Sequence, residues 1–206
     1  MGGQSFIYRH LSIYRFIMNI LYLGKYRQRF NQVIEQIKDL PTNSQILELC
    51  FGDTYIAEFS KRKGHKWKGI DLNNNFVMHA RNLGHDAYFG DLTSLKTLGK
   101  ADVCIMIGSL YHFHPHTSSI LKKMFEASDI IIISEPIQNL SSKKGIVGFL
   151  AKRAASVGKR DEVFRYDLNS LTAFLQENSR LLNYSITFSQ QYGKDLLIKL
   201  IKNGRN

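Results

Sequence analysis

The sequence predicts an α/β fold, a mostly parallel seven-stranded sheet with helices on both faces and a C-terminal antiparallel hairpin at one edge. Two observations carry this. Five short β-rich runs follow Pro41, at 45–50, 66–71, 86–90, 101–108 and 129–135, and segments of helical length separate most of them. That alternation favours parallel strands joined by crossover helices. Two further runs, at 181–189 and 192–201, close the chain with only a tight polar joint between them, which reads as a hairpin.

Ahead of the sheet, Ile7, Leu11, Tyr14, Ile17, Met18, Leu21 and Tyr22 recur at intervals of three and four, as a helix requires. Gly24 breaks the pattern, and a second helix follows through Tyr26, Phe30, Val33, Ile34 and Ile37 until Pro41 stops it. Between the strands, 54–63, 73–82 and 116–127 read as helices, with Gly64 and Gly84 placed as C-terminal stops. Beyond Pro136 the sequence predicts helices at 145–155 and 169–177. The chain divides into an N-terminal helical segment, 1–41, and a domain, 42–206, within one globular unit.

With 206 residues, 44% of them hydrophobic and 12% aromatic, the chain can bury a large core, which excludes general disorder. Three prolines and two cysteines exclude fibrous and disulfide scaffolds. Cys50 and Cys104 lie in apolar runs, so reduced thiols and a cytoplasmic location are expected. No window reaches the roughly 18 apolar residues of a membrane-spanning helix. Lys and Arg exceed Asp and Glu by 28 to 17, a net charge of +11 that favours anionic partners.

In an open parallel sheet, ligands bind beyond the carboxyl ends of the strands. The first run ends in a one-glycine turn, Glu48-Leu49-Cys50-Phe51-Gly52-Asp53-Thr54, feeding a helix whose N-terminus suits an anion. The second ends in Asp71, a carboxylate able to accept from two ribose hydroxyls. The third ends in Gly90-Asp91-Leu92, where a carboxylate can accept from an adenine amino group while the leucine covers the ring. No GxGxxG follows the first strand, which argues against a dinucleotide oxidoreductase.

The stretches ILELCFGDT, GIDLN, GDLTSL, ADVCIMIGSLYHF and IIIISEP together resemble the class I S-adenosylmethionine-dependent methyltransferases over about residues 44–136. The resemblance implies a Rossmann-like sheet and S-adenosylmethionine as cofactor. It implies a methionine-binding turn through Glu48, Cys50, Phe51, Gly52 and Asp53, ribose at Asp71 beside Leu72, and adenine at Asp91 and Leu92. Ile107, Gly108 and Ser109 would line the sulfonium side. The sequence departs from the family's GxGxG, because Cys50 and Thr54 stand at the outer glycine positions; both are small, and the turn is expected to survive.

A hydroxyl acceptor needs a proton removed, and the candidates after the fourth strand are Tyr111, His112 and His114. The alternate histidines, ending at His116, also suit a metal, but no cysteine or acid is near in sequence and none is expected. Glu135 ends the fifth strand and can orient substrate or cap a loop. The first 34 residues hold five Lys or Arg, no acid and seven aromatics, a composition fitting a lid over the cofactor or contact with an acidic membrane surface. A second basic run, 143–165, follows the fifth strand, where the family builds its acceptor pocket. Residues 108–111 read Gly-Ser-Leu-Tyr, not the Asn/Asp-Pro-Pro-aromatic tetrapeptide of base-amine methylases. The reading is therefore methyl transfer to oxygen or nitrogen of a small-molecule acceptor, with an anionic or lipid-linked one favoured. A catalytically silent cofactor-binding protein and an RNA-binding methyltransferase or module stand as alternatives.

Overall fold

The computed structural model describes residues 11–137 and 164–204. The helix expected at 145–155 and most of the basic run at 143–165 lie outside the described residues. Two helices come first, α1 (Leu11–Leu21) and α2 (Tyr26–Glu35), and the break falls at Leu23 and Gly24, both at positive φ. Then follow β1 (Gln45–Leu49), α3 (Tyr55–Lys63), β2 (Lys66–Asp71), α4 (Asn74–Asn82), β3 (Asp86–Phe89), β4 (Val103–Ile107), α5 (Thr117–Ala127) and β5 (Ile130–Pro136). The chain closes with α6 (Leu168–Leu181), β6 (Tyr184–Tyr192) and β7 (Asp195–Lys202).

The sheet has seven strands in the order β3-β2-β1-β4-β5-β7-β6. Strands β1 to β5 are mutually parallel, and β7 runs antiparallel to β5, from Ile130↔Ile201 to Pro136↔Asp195. The carboxyl ends of β1 to β4 therefore share one rim. Strand order reverses beside β1, between β2 and β4, where open α/β sheets form their ligand crevice.

Side-chain alternation sorts the core into two layers. Along β4, Val103, Ile105 and Ile107 pack with Tyr26, Phe30 and Val33 of α2, Ile56 of α3 and Val77 of α4. Cys104 and Met106 point the other way, to Ile120, Leu121 and Met124 of α5 and Leu171 and Leu175 of α6. Burial on both faces is why β4 and β5 read as unbroken apolar runs. Because α2 contributes to the same cluster as β1 and β4, residue 41 does not separate two cores. On α1, Ile17 and Leu21 are buried against the protein, while Phe16 remains 66% exposed.

The helix ends follow from local chemistry. Gly64 and Gly84, at φ +72 and +75, supply the left-handed residues beyond α3 and α4. Asn73 caps α4 by accepting from the Asn75 amide at 3.0 Å. Asp167 and Ser170 form a reciprocal capping box at α6. Helix α6 runs four residues past the expected end, so β6 starts at Tyr184, not at 181. The hairpin joint likewise sits three residues later than the polar pair Gln190-Gln191 suggests. A two-residue hairpin needs a positive φ, and Gly193, at φ +60, supplies it.

One core contact binds β1 to β2. Glu48 and Gly69 are partners across the strands, and the Trp67 indole lies across Gly69 to donate to Glu48 Oε2 at 2.8 Å. A Cβ on Gly69 would overlap the Trp67 ring and meet Phe51 at 2.7 Å. Gly69→Ala is expected to destabilise the protein by about 1–3 kcal/mol in chemical denaturation, the usual penalty of overpacking. The emission of the single tryptophan should shift with it; an unchanged midpoint and spectrum would contradict this packing.

Candidate functional site

The rim is organised by the bend after β1. Cys50 and Gly52 lie at φ +52 and +57, and the Asp53 amide turns back to donate to the Phe51 carbonyl. The bend aims the Gly52 amide at Asp71 Oδ2, 3.1 Å away, while the Asn73 amide donates to Oδ1 at 2.7 Å. Asp71 is 8% exposed, and burial pushes its carboxyl up to about 6 against the opposing pull of those amides. Each oxygen keeps a lone pair beyond its amide, so the group can still accept hydroxyl hydrogen bonds. Leu72, next in sequence, is 49% exposed at the rim, an apolar surface of the kind a base stacks on.

At the end of β3, the Gly90 amide donates to the Asp71 carbonyl at 3.0 Å, joining the two strand ends. Asp91 Oδ1 accepts from the amide and the hydroxyl of Thr93, at 2.8 and 2.7 Å, and Oδ2 has no hydrogen bond among the described residues. The structure corrects the expectation for Leu92. Its side chain is packed in the core with Leu47, Leu49 and Ile70, because α5 and the sheet close over it, so it does not cover the crevice.

Three residues of the first turn also act differently from the sequence reading. Glu48 is fully buried under Trp67, and burial holds its carboxyl well above the ordinary range. Phe51 packs edge-on against Trp67, with ring centres 5.3 Å apart. Asp53, fully buried, is gripped by Arg15 of α1: Nη2 donates to Oδ1 at 2.6 Å and Nε to Oδ2 at 2.9 Å. Its carboxylate fastens a helix and is not offered to a ligand. Sequence shows the acid but not its partner 38 residues away.

Two residues that the sequence reading did not single out stand at the crevice. The Tyr14 hydroxyl of α1 lies 3.2 Å from where a Cβ on Gly52 would stand, and its ring packs on Phe76 at 5.0 Å. Burial pushes this phenol up to about 12, so it is neutral. Arg29 of α2 is 5% exposed and its guanidinium presses on Gly108, where an added Cβ would be 2.5 Å from Nη2. Arg29 Nε lies 3.1 Å from Asp195 Oδ2, and Tyr22 donates to Oδ1 of the same carboxylate at 3.0 Å. Arg29 Nη2 is buried and has no hydrogen-bond partner among the described residues. The available signal was its spacing, since Arg29 falls within the apolar stripe Tyr26-Phe30-Val33.

From Ile107 at the end of β4 the chain passes Gly108 and Ser109 and enters a short 3₁₀ turn, Leu110–Phe113. Gly108 is at φ +66, and its amide donates to the Ser134 carbonyl at 2.6 Å. Glu135 caps the turn: Oε2 accepts from the Leu110 amide at 3.0 Å and Oε1 from the Tyr111 amide at 3.1 Å. Burial pushes the Glu135 carboxyl up to about 7 despite both bonds. His112 is exposed and rests against Tyr111, centres 3.9 Å apart, and His114 stacks on Phe164 at 3.8 Å. The protein packed around His112, and then the Arg165 cation, push its imidazole below the ordinary value.

No protein-family model and no curated protein matches the chain. Among solved structures it is similar to the magnesium protoporphyrin IX methyltransferase of Synechocystis PCC 6803 with bound SAH. That match has 14% identity and a TM-score of 0.63, covering 98% of this chain and 90% of that one. It is similar to the methyltransferase in complex with the Haloferax volcanii Trm112 activator, at 11% identity and TM-score 0.69, covering 98% and 100%. The 16S rRNA methylase RmtB follows at 14% and 0.56, covering 94% and 71%. Strand order, the bend at Gly52 and these likenesses agree: the chain has the fold of the class I S-adenosylmethionine-dependent methyltransferases.

Proposed function

We propose that the chain binds S-adenosylmethionine in the rim crevice and transfers its methyl group to oxygen or nitrogen of a small, anionic acceptor. One observation carries the reading. A hydroxyl-accepting carboxylate, Asp71, ends β2 and an unpartnered buried guanidinium nitrogen, Arg29 Nη2, stands at the end of β4, with the Gly52 bend of β1 between them. A ribose and an amino-acid carboxylate are the two polar ends of this cofactor, and these groups match them in kind and in order.

When bound, S-adenosylmethionine supplies an electrophilic methyl on a sulfonium. The chain's own residues would do the rest. Asp71 would accept from the ribose hydroxyls, Arg29 would donate to the carboxylate, Tyr14 would roof the amino-acid portion, and Leu72 and Asp91 would receive the base. Fixing both ends of the cofactor aligns the methyl for in-line attack, which is where most of the acceleration arises.

The basic N-terminal segment supports a small acceptor over RNA or membrane. Arg15 and Arg29 are committed to Asp53 and Asp195, and the Ile17 and Leu21 side of α1 is already buried against the protein. Two of the segment's five cations are thus turned to internal partners, and that apolar side of α1 is not available to an outer surface.

Calorimetry should detect micromolar to millimolar binding of S-adenosylmethionine, at least tenfold weaker in Asp71→Ala. Ribose hydroxyls favour the ionised carboxylate, and Asp71 titrates near pH 6. Affinity should therefore hold above pH 7 and fall as pH drops from 6 to 5, by up to about tenfold per unit. Asp71→Asn should be weaker and flat over that range; a wild-type profile equally flat would reject the role.

Arg29→Lys keeps a cation for Asp195 but loses the planar fork. It should weaken S-adenosylhomocysteine by about tenfold, the scale of a lost charge-assisted hydrogen bond, and leave adenosine, which has no carboxylate, at its wild-type affinity. Equal loss for both ligands would show that Arg29 acts on the fold alone.

A further inference from the structure

Beyond the cofactor crevice, the 3₁₀ turn after β4 carries a second cation. Arg165 Cζ lies 3.4 Å from the centre of the Tyr111 ring, so the guanidinium sits over its face. The preceding residue, Phe164, stacks on His114 with an interplanar angle of 9°, and Tyr166, 5% exposed, meets Phe164 edge-on at 4.7 Å. Residues 164–166 are thus clamped on the turn through rings on either side of Arg165. Among the described residues Arg165 forms no ion pair; its electrostatic neighbour Glu135 has both oxygens engaged by backbone amides. A half-buried guanidinium held on an aromatic face, with no carboxylate paired to it among the described residues, is built to receive a planar anion.

Three of the groups beside Arg165 are poor proton acceptors. Glu135 is spent on the Leu110 and Tyr111 amides, and Tyr111 is buried beneath Arg165. His112 lies beside a cation, which disfavours the imidazolium that general-base catalysis would form. A hydroxyl or ammonium acceptor must lose a proton to react, whereas a carboxylate is already an anionic nucleophile.

We infer that the methyl acceptor is a carboxylic acid bound as its carboxylate by Arg165 over Tyr111, and that the product is a methyl ester. The inference rests on the methyltransferase reading above and deepens it. One carboxylate oxygen attacks the sulfonium methyl, a C–O bond forms, the C–S bond breaks and its electron pair stays on sulfur as the thioether. No proton is released and no base is required. Arg165 holds the second oxygen and fixes the angle of attack.

The test uses the full chain saturated with S-adenosylhomocysteine. Benzoate and hexanoate are titrated beside benzamide and hexanamide, on wild type and on Arg165→Met, whose side chain can still cover Tyr111. At least one acid should bind, its amide should not, and Arg165→Met should weaken the acid by about tenfold or more while S-adenosylhomocysteine affinity stays unchanged. In parallel, wild type is given methyl-tritiated S-adenosylmethionine and a deproteinised metabolite extract. Label in the product should be released as volatile methanol by mild alkali, as only an ester allows. Binding of amides as well as acids, acid binding indifferent to Arg165, no acid binding, or alkali-stable label each overturns the carboxylate acceptor and leaves the methyltransferase reading intact. Failure of wild type to bind S-adenosylhomocysteine or S-adenosylmethionine overturns both.

Discussion

The hydrogen bond from the Gly52 amide to Asp71 is the constraint on which the rim depends. It exists because two residues at positive φ reverse the chain immediately after β1, so a backbone donor points sideways to the next strand. Without it the carboxylate at the end of β2 would be buried with one donor fewer. With it, desolvation still wins over hydrogen bonding, and burial pushes the carboxyl up to about 6. A carboxylate in that condition gains from every further donor it receives.

The same bend fixes the roof. Turning at Gly52 sends Asp53 inward, where Arg15 closes on it, and that ion pair sets α1 so that Tyr14 lands over the glycine. Helix α2 is tied at its own point by Arg29 and Asp195, at the start of β7, with Tyr22, just past α1, on the same carboxylate. Buried ion pairs add little net stability compared with apolar contacts of equal size. Their effect here is positional: roof helices fastened to β1 and β7 by charge can sit in few ways over the crevice. The charge excess of the N-terminal segment, read from sequence as a surface property, is partly an internal fastening.

Most of the fold was legible because the runs VCIMI and IIIIS admit hardly any other reading than strands buried on both faces. The boundaries near 181 and 193 were less so, since helix α6 continues through residues of mixed polarity and the hairpin register depends on one dihedral at Gly193. The rim positions of Gly52, Asp71 and Asp91 were legible because topology alone puts strand ends there. Asp53 and Leu92 were misread for a common reason. Sequence places a residue on the rim but does not say whether its side chain turns toward the crevice or into the core. Arg29 was hidden for the complementary reason, a charge counted with its neighbours but buried in an apolar stripe.

The missing glycines illustrate what such a turn requires. Three glycines are the familiar pattern, yet only some of those positions demand one. Thr54 lies at φ −97 and ψ 13, a conformation any residue adopts, so a third glycine would serve no backbone purpose. Cys50 does occupy the left-handed region, at a strain on the order of 1–2 kcal/mol. Its amide, donating to the Ile70 carbonyl at 2.7 Å, helps hold it there. Gly52 alone combines a positive φ with a neighbour, Tyr14, too close to admit a side chain without displacement. The glycine kept is the one where backbone and roof both forbid a Cβ, and the two replaced are those where neither or only one does.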